Sequence, residues 1–428
     1  MARAMKDSGI EWVGKIPENW QVGRIGQLYT ERREKVSDTE YQPLSVTMRG
    51  VLPQLSTAAK TDAHDDRKLV RIGDFAINSR SDRRGSCGIS PYEGSVSLIN
   101  TILMPRNEMH PVYYNWLFHS TMFSDEFYKW GHGIVNDLWT TNWQDMKRIA
   151  VPMPPFEEQS RIADYLDSEC SRIDTVIEQT RASIEEYKKL KQSVITEAVT
   201  KGIRPSRKMK DSGVEWIGEI PEEWDLIPFR HVLKERAEKN IPVKSTERLS
   251  LSIDLGVTLY SEKTTNLDRF KDDFEQYKIA HAGDLVMNSM NMIVGATGVS
   301  DYYGCVSPAY YTFYDDTPDH VTAKYCEYIF RSKTMLRVLY SLGKGIYAIV
   351  RGDDRVNTCR LKVSREDLRQ IEIPLPSTEE QREIVKYLSE KTQEIDDLIK
   401  QKNEIISELE SYKKSIIFEY VTGKKEVI

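Results

Sequence analysis

Two stretches of the chain concentrate side chains suited to recognising nucleic acid. RSDRRGSCG at 80–88 places Arg80, Arg83 and Arg84 directly behind Asn78-Ser79. MNMIVGATG at 290–298 follows Asn288-Ser289 and sets Asn291 among apolar neighbours. A second pair of stretches follows a Gly-x-Gly-Ile. VNDLWTTNWQDMKRI at 135–149 carries Asn136 and Asn142, just behind Lys129 and His132. YAIVRGDDRVNTCRLKVSREDLRQI at 347–371 carries Tyr347, Arg351, Arg355 and Asn357, just behind Lys344. Arg matches the paired acceptors of guanine, Asn the donor and acceptor of adenine, and Lys the phosphates. These residues are the candidate DNA contacts. Arg80, Arg83 and Arg84 also read as a solvated turn, and Asn78 and Asn288 as turn formers.

Catalytic patterns are missing from the sequence. There is no GxSxG, HExxH, GxxxxGK[ST] or GxGxxG, and the seven histidines lack ligand-like spacing. Met153-Pro154-Pro155-Phe156 resembles the Asn/Asp-Pro-Pro-Tyr/Phe motif of amino-methyltransferases, but it lacks the Asn or Asp that would hold the amino group. It reads instead as a stiff lead into a helix. The expectation is a binding protein with no catalytic residue, no metal and no cofactor of its own.

The polar loops need a frame, and the chain writes that frame twice. KDSGIEWVGKIPENW at 6–20 returns as KDSGVEWIGEIPEEW at 210–224. PPFEEQSRIADYLDSECSRIDTVIEQTRASIEEYKKLKQSVITEAVT at 154–200 aligns without a gap to the segment 376–422, shifted by 222. GDFAINS at 73–79 matches GDLVMNS at 283–289. A repeat of this length is a domain duplication, not a solenoid. The reading is a first globular domain at 1–154, a long helix at 155–202, a linker at 203–209, a second globular domain at 210–375 and a second long helix at 376–428.

The globular parts read as mixed α/β, with strands such as VSLINTILM and VSPAYYTFY. YYNWLFHSTMF and KYCEYIFRSKTML have helical spacing of aromatic and aliphatic residues. In the long segments, Ile162, Leu166, Ile173, Ile177, Thr180, Ile184, Tyr187 and Val194 alternate steps of three and four. Ile384, Leu388, Ile395, Ile399, Lys402, Ile406, Leu409 and Ile416 repeat that phase. This is the a/d seam of a coiled coil, and about 45 residues make a helix of roughly 65–70 Å. Ser377 with Glu380 marks a capping box at the start of the second helix. Two equal helices, each with one apolar stripe, satisfy each other best as an antiparallel coiled coil. The fold class expected is therefore α+β with a pseudo-two-fold internal repeat. Trp12, Trp20, Trp216 and Trp224 would staple each globular domain to the helices; a surface for a partner subunit is the competing reading.

Composition sets loose bounds. The 428 residues carry a net charge of −6, with 39 % hydrophobic and 29 % charged residues, an ordinary balance for a soluble globular protein. An acidic total leaves nucleic-acid binding open, because local charge decides it. Five scattered cysteines without a CxxC pair point to a reducing, cytoplasmic setting. No apolar run approaches the roughly 18 residues that span a bilayer.

The ordered set of motifs resembles the specificity (S) subunit of type I restriction-modification systems. The resemblance rests on the twin leaders at 8–20 and 212–224, on Pro154/Glu158/Gln159 and Pro376/Glu380/Gln381, and on the heptad helices that follow. It implies that each globular part is a target-recognition domain reading one half of an asymmetric double-stranded DNA target, and that the helices set the spacing. It further implies docking of two modification (methyltransferase) subunits, which carry the S-adenosylmethionine, and of restriction/translocase subunits. A non-catalytic coiled-coil tether, with end domains that bind peptides or small ligands, is the alternative from another class.

Overall fold

A computed structural model describes residues 3–54, 64–80, 83–106, 108–133, 139–253, 255–263, 273–346 and 360–427. The chain forms two compact units: Met1–Arg181 with Asn403–Ile428, and Ala182–Lys402.

At the centre of the first unit lies an antiparallel sheet in the order Cys87–Ile89, Phe75–Asn78, Asn100–Pro105, Tyr29–Arg32. All four residues of Phe75–Asn78 are buried, which explains the near-continuous apolar run FAIN. The second unit repeats the order with Thr297–Val299, Leu285–Asn288, Tyr310–Tyr314 and Lys234–Glu235. Each apolar helical segment is in fact two helices broken at a serine: Pro111–His119 and Thr121–Lys129, then Val321–Arg331 and Lys333–Leu342. Ser120 and Ser332 cap the second helix of each pair by accepting from Phe123 N and Met335 N.

A β-hairpin packs beside each sheet, Leu44–Thr47 with Gly50–Pro53 and Leu249–Ser252 with Gly256–Leu259. Backbone meets backbone here. A Cβ on Gly88 would lie 2.7 Å from Gly50 Cα, and one on Gly298 would lie 2.9 Å from Gly256 Cα. Only glycine permits this approach. The hairpin tips carry the exposed Met48 and Leu255.

The expected long helices run Phe156–Lys201 and Thr378–Val421. Their pairing is antiparallel within each unit. In the first, Tyr165 meets Tyr420 at 4.4 Å, Lys413 Nζ bonds Asp174 at 2.6 Å, and Arg181 bonds Glu410 at 2.9 Å. In the second, Lys402 sits over the Tyr187 ring at 5.6 Å and Lys191 Nζ bonds Asp396 Oδ1 at 2.7 Å. Lys191–Asp396 and Lys413–Asp174 are equivalent pairs of the repeat. Both are half exposed, so each is worth at most about 1 kcal/mol. The buried seam contributes more: Ile162, Leu166, Ile384 and Leu388 are almost inaccessible, each worth roughly 1.5–3 kcal/mol. The polar seam residue Lys402 is accommodated by its contact with Tyr187.

The twin leader explains itself at the helix ends. Trp20 is fully buried and its Nε1 donates to Glu158 Oε2 at 2.9 Å; Trp224 Nε1 donates to Glu380 Oε2 at 3.1 Å. Arg3 and Arg207 pair with the same two carboxylates. Gln159 and Gln381 each donate to a proline carbonyl, Pro154 O and Pro376 O, at 2.8 Å. Tyr113 Oη donates to Val421 O at 2.7 Å, and Tyr325 Oη to Val199 O at 3.1 Å, so each domain also holds the last turn of a long helix. Gly423 and Gly202 end those helices at φ +68° and +74°, against Trp20 and Trp224. The capping box expected at Ser377 forms only in part. Ser377 Oγ accepts from Glu380 N at 3.3 Å, but the Glu380 carboxylate goes to Arg207 and Trp224. A charged partner and a buried indole outcompete the backbone N–H that a capping glutamate usually takes. Trp12 packs within its own domain, edge-on to Phe123 at 5.8 Å.

Candidate nucleic-acid interface

The shared Gly-Asp…Asn-Ser motif builds the frame beneath the loops. Gly73 and Gly283 adopt φ +88°. Asp74 and Asp284 are buried and receive three hydrogen bonds each: two from an arginine, Arg32 at 2.7 and 3.1 Å and Arg236 at 2.6 and 3.0 Å, and one from the main chain, Arg71 N at 2.8 Å and His281 N at 2.9 Å. Asn78 Oδ1 accepts from Arg80 N, and Asn288 Oδ1 from Met290 N, both at 3.0 Å. The asparagines are nearly inaccessible, and these bonds turn the chain into the loop. Ser79 O then accepts from Thr141 N, and Ser289 O from Val363 N. That bond ties each first loop to the segment after the Gly-x-Gly.

In the first unit this gathers part of the candidate set. Arg80 and His132 both bridge to Thr140 through the main chain, and Asn142 lies two residues on. Asn142 Oδ1 is occupied: it accepts from Gln144 N at 2.7 Å and Asp145 N at 3.3 Å, capping Trp143–Met146. His132 Nε2 lies 3.4 Å from Asp145. Arg83 is exposed in the loop. Arg84 and Lys129 stand on or against the helix Thr121–Lys129. Arg84 bonds Asp125 at 3.0 Å and covers the Tyr128 ring at 5.1 Å; Lys129 lies 3.4 Å from Glu126 and 3.6 Å from Glu11, whose charges raise its pKa.

In the second unit Asn291 is exposed and precedes the turn Met292–Val294. Lys344 begins a two-stranded ribbon, Lys344–Ile346 with Arg360–Lys362, and its Nζ bonds Asp367 at 2.9 Å. Asn136, Tyr347, Arg351, Arg355 and Asn357 lie outside the described residues.

Sequence reasoning missed a cationic cluster. Lys278, Lys344, Lys362 and Arg365 line one cavity of about 400 Å³, with Glu235 and Tyr311 among its walls. Lys278 is half buried and its Nζ donates to Tyr310 O at 2.8 Å. Burial pushes its ammonium pKa down, Glu235 pulls it up, and Arg365 and Lys362 push it further down. One signal was available: Lys278 and Lys68 stand at the same place in the two copies, each directly before a pair of apolar residues.

Two like frames thus present unlike polar loops, the arrangement of a duplicated protein whose two halves differ at equivalent surfaces. The segment 257–408 matches the family described as "Type I restriction modification DNA specificity domain". A Methanocaldococcus jannaschii chain that bears the name MjaX specificity subunit of a type I restriction enzyme is 24 % identical over 418 residues, spanning 88 % of this chain and 87 % of that one. The type I restriction enzyme MjaVIII specificity subunit of the same organism is 25 % identical over 229 residues, 51 % of this chain and 50 % of that one. Two solved structures share the fold. One, described as "Structural basis underlying complex assembly and conformational transition of the type I R-M system", superposes at TM-score 0.69 with 16 % identity, over 96 % of this chain and 99 % of that one. The HsdS subunit from Thermoanaerobacter tengcongensis superposes at 0.51 with 18 % identity, over 96 % and 98 %. In sequence and in fold the chain is thus similar to the specificity (S) subunits of type I restriction-modification systems.

Proposed function

We propose that this specificity subunit reads an asymmetric, bipartite DNA target, one half with each globular domain, and performs no chemistry itself. Methylation then belongs to two docked modification subunits, which bring S-adenosylmethionine, and cleavage to restriction subunits on the same complex; the setting is the cytoplasm. The observation that supports asymmetry is the contrast between equivalent loops on one frame. After the buried Asn-Ser turn, the first unit offers Arg80, Arg83 and Arg84, and the second offers Met290, Asn291 and Val294. Arginines favour guanine edges and phosphates, whereas apolar side chains favour the thymine methyl, so the two halves would select different bases. Asn78, Arg80, Arg83, Arg84, His132, Asn142, Asn288, Asn291 and Lys344 remain the proposed contacts among the described residues. Lys129 is the weakest, being flanked by two carboxylates.

Methylome sequencing of cells with and without the gene tests this reading. A bipartite adenine-methylated motif with unlike halves should vanish on deletion. An unchanged methylome would refute the proposal and favour the tether.

A further inference from the structure

We propose that the cavity of about 400 Å³ in the second unit is a clamp for one backbone phosphate, and that the first unit has no equivalent clamp among its described residues. The inference rests on the DNA reading above and adds that the two domains hold DNA by unequal means.

The walls are built for an anion. Lys344 and Lys362 stand directly opposite each other in the ribbon. Like charges at facing positions of antiparallel strands destabilise them unless something lies between. Arg365 approaches from the segment just beyond, and Lys278 rises from beneath. Carboxylates temper the cluster without cancelling it. Lys344 bonds Asp367 at 2.9 Å, and Arg365 lies 3.3 Å from Glu235 and 3.7 Å from Glu366. Arg369 also leans on Glu235, at 3.6 Å. Five cations thus meet three carboxylates. The cavity adjoins the proposed reading loop, because Val363 N bonds Ser289 O. Tyr311 Oη donates to Val363 O at 3.2 Å and fixes that segment from below.

The first unit keeps the scaffold and drops the charge. Lys68 Nζ donates to Asn100 O at 2.7 Å, as Lys278 does to Tyr310 O. His132 pairs with Asp145 where Lys344 pairs with Asp367. Asn142 caps the following short helix where Ser364 does. The equivalents of Lys344, Lys362 and Arg365 are therefore His132, Thr140 and Trp143.

Each neutralised phosphate lowers log Kobs against log salt with a slope of about −0.9. The test measures anisotropy of a fluorescein-labelled mixed-sequence duplex with the full-length chain, between about 50 and 200 mM salt. Lys344→Gln with Lys362→Gln should flatten the slope by about 1 and weaken binding about tenfold at the low-salt end. Lys344→Arg with Lys362→Arg should keep the slope. Lys68→Gln should leave it unchanged. A slope that survives the double Gln variant overturns the clamp, and so does an equal flattening by Lys68→Gln. A wild-type chain that binds no duplex at any salt would instead overturn the DNA reading, and the clamp with it.

Discussion

Replacing Glu380 by alanine should be among the most damaging single changes in the second unit. Its carboxylate is 4 % exposed and receives both terminal nitrogens of Arg207, itself only 9 % exposed, together with Trp224 Nε1. Removing one member of such a buried pair costs about 3–5 kcal/mol, because the partner charge stays buried. Glu223 remains beside Arg207, which places the expectation near the lower end, about 3 kcal/mol. For a unit of this size that lowers Tm by roughly 6–12 °C. Glu380→Gln keeps an acceptor for the indole and loses only the charge, so it should cost about half as much. Glu383 is the control. It pairs with Arg204 three residues along the same helix, but both side chains are substantially exposed, and Glu383→Ala should cost under about 1 kcal/mol. Calorimetry on the three variants decides the matter. If Glu380→Ala and Glu383→Ala shift Tm equally, the leader is not the staple described here.

Other outcomes follow from the same geometry. Burial pushes the Glu158 carboxyl up, but hydrogen bonds from Arg3 and Trp20 outweigh it and hold its pKa below the ordinary carboxylate range. Its contribution is fully present above the unfolded value near pH 4.3 and is lost as pH falls through the depressed folded value; hydrogen exchange at the Trp20 indole should accelerate only below about pH 4.3. Gly202→Ala meets both a φ of +74° and a Cβ 2.7 Å from Arg207 Nη1, so chemical denaturation should show a loss of about 1–3 kcal/mol. Asn78→Asp keeps the oxygen that accepts from Arg80 N and removes the amide donor. Because Asn78 is nearly inaccessible, the new carboxylate is buried without a cation, and chemical denaturation should show a loss of about 1–3 kcal/mol; unchanged stability would mean that the side chain is not enclosed as described.

What the sequence disclosed follows from the range of each interaction. The heptad seam and the duplication are periodic or repeated, so Ile162, Ile184, Ile384 and Ile406 could be placed on one stripe before any fold was known. Glu380 could not be read correctly. Its local pattern with Ser377 spells a cap, whereas its partners Arg207 and Trp224 lie more than 150 residues away. Asn142 carries an amide suited to adenine, and nothing in its own stretch announced that its oxygen also caps Trp143–Met146 through Gln144 and Asp145. The cationic cavity draws Lys278, Lys344, Lys362 and Arg365 from separate segments, and no one stretch announces it. The serine breaks at Ser120 and Ser332 were equally silent, since apolar spacing continues across them.

The glycine contacts beneath the two hairpins have a consequence for how such a molecule changes over time. Where Gly88 rests on Gly50, and Gly298 on Gly256, main chain meets main chain, and the buried Leu44, Val51, Leu249 and Val257 hold the base of each hairpin. Nothing at the tips, Met48 or Leu255, is needed to seat the hairpin. The exposed ends can therefore be exchanged like bits in a common socket without reworking the handle.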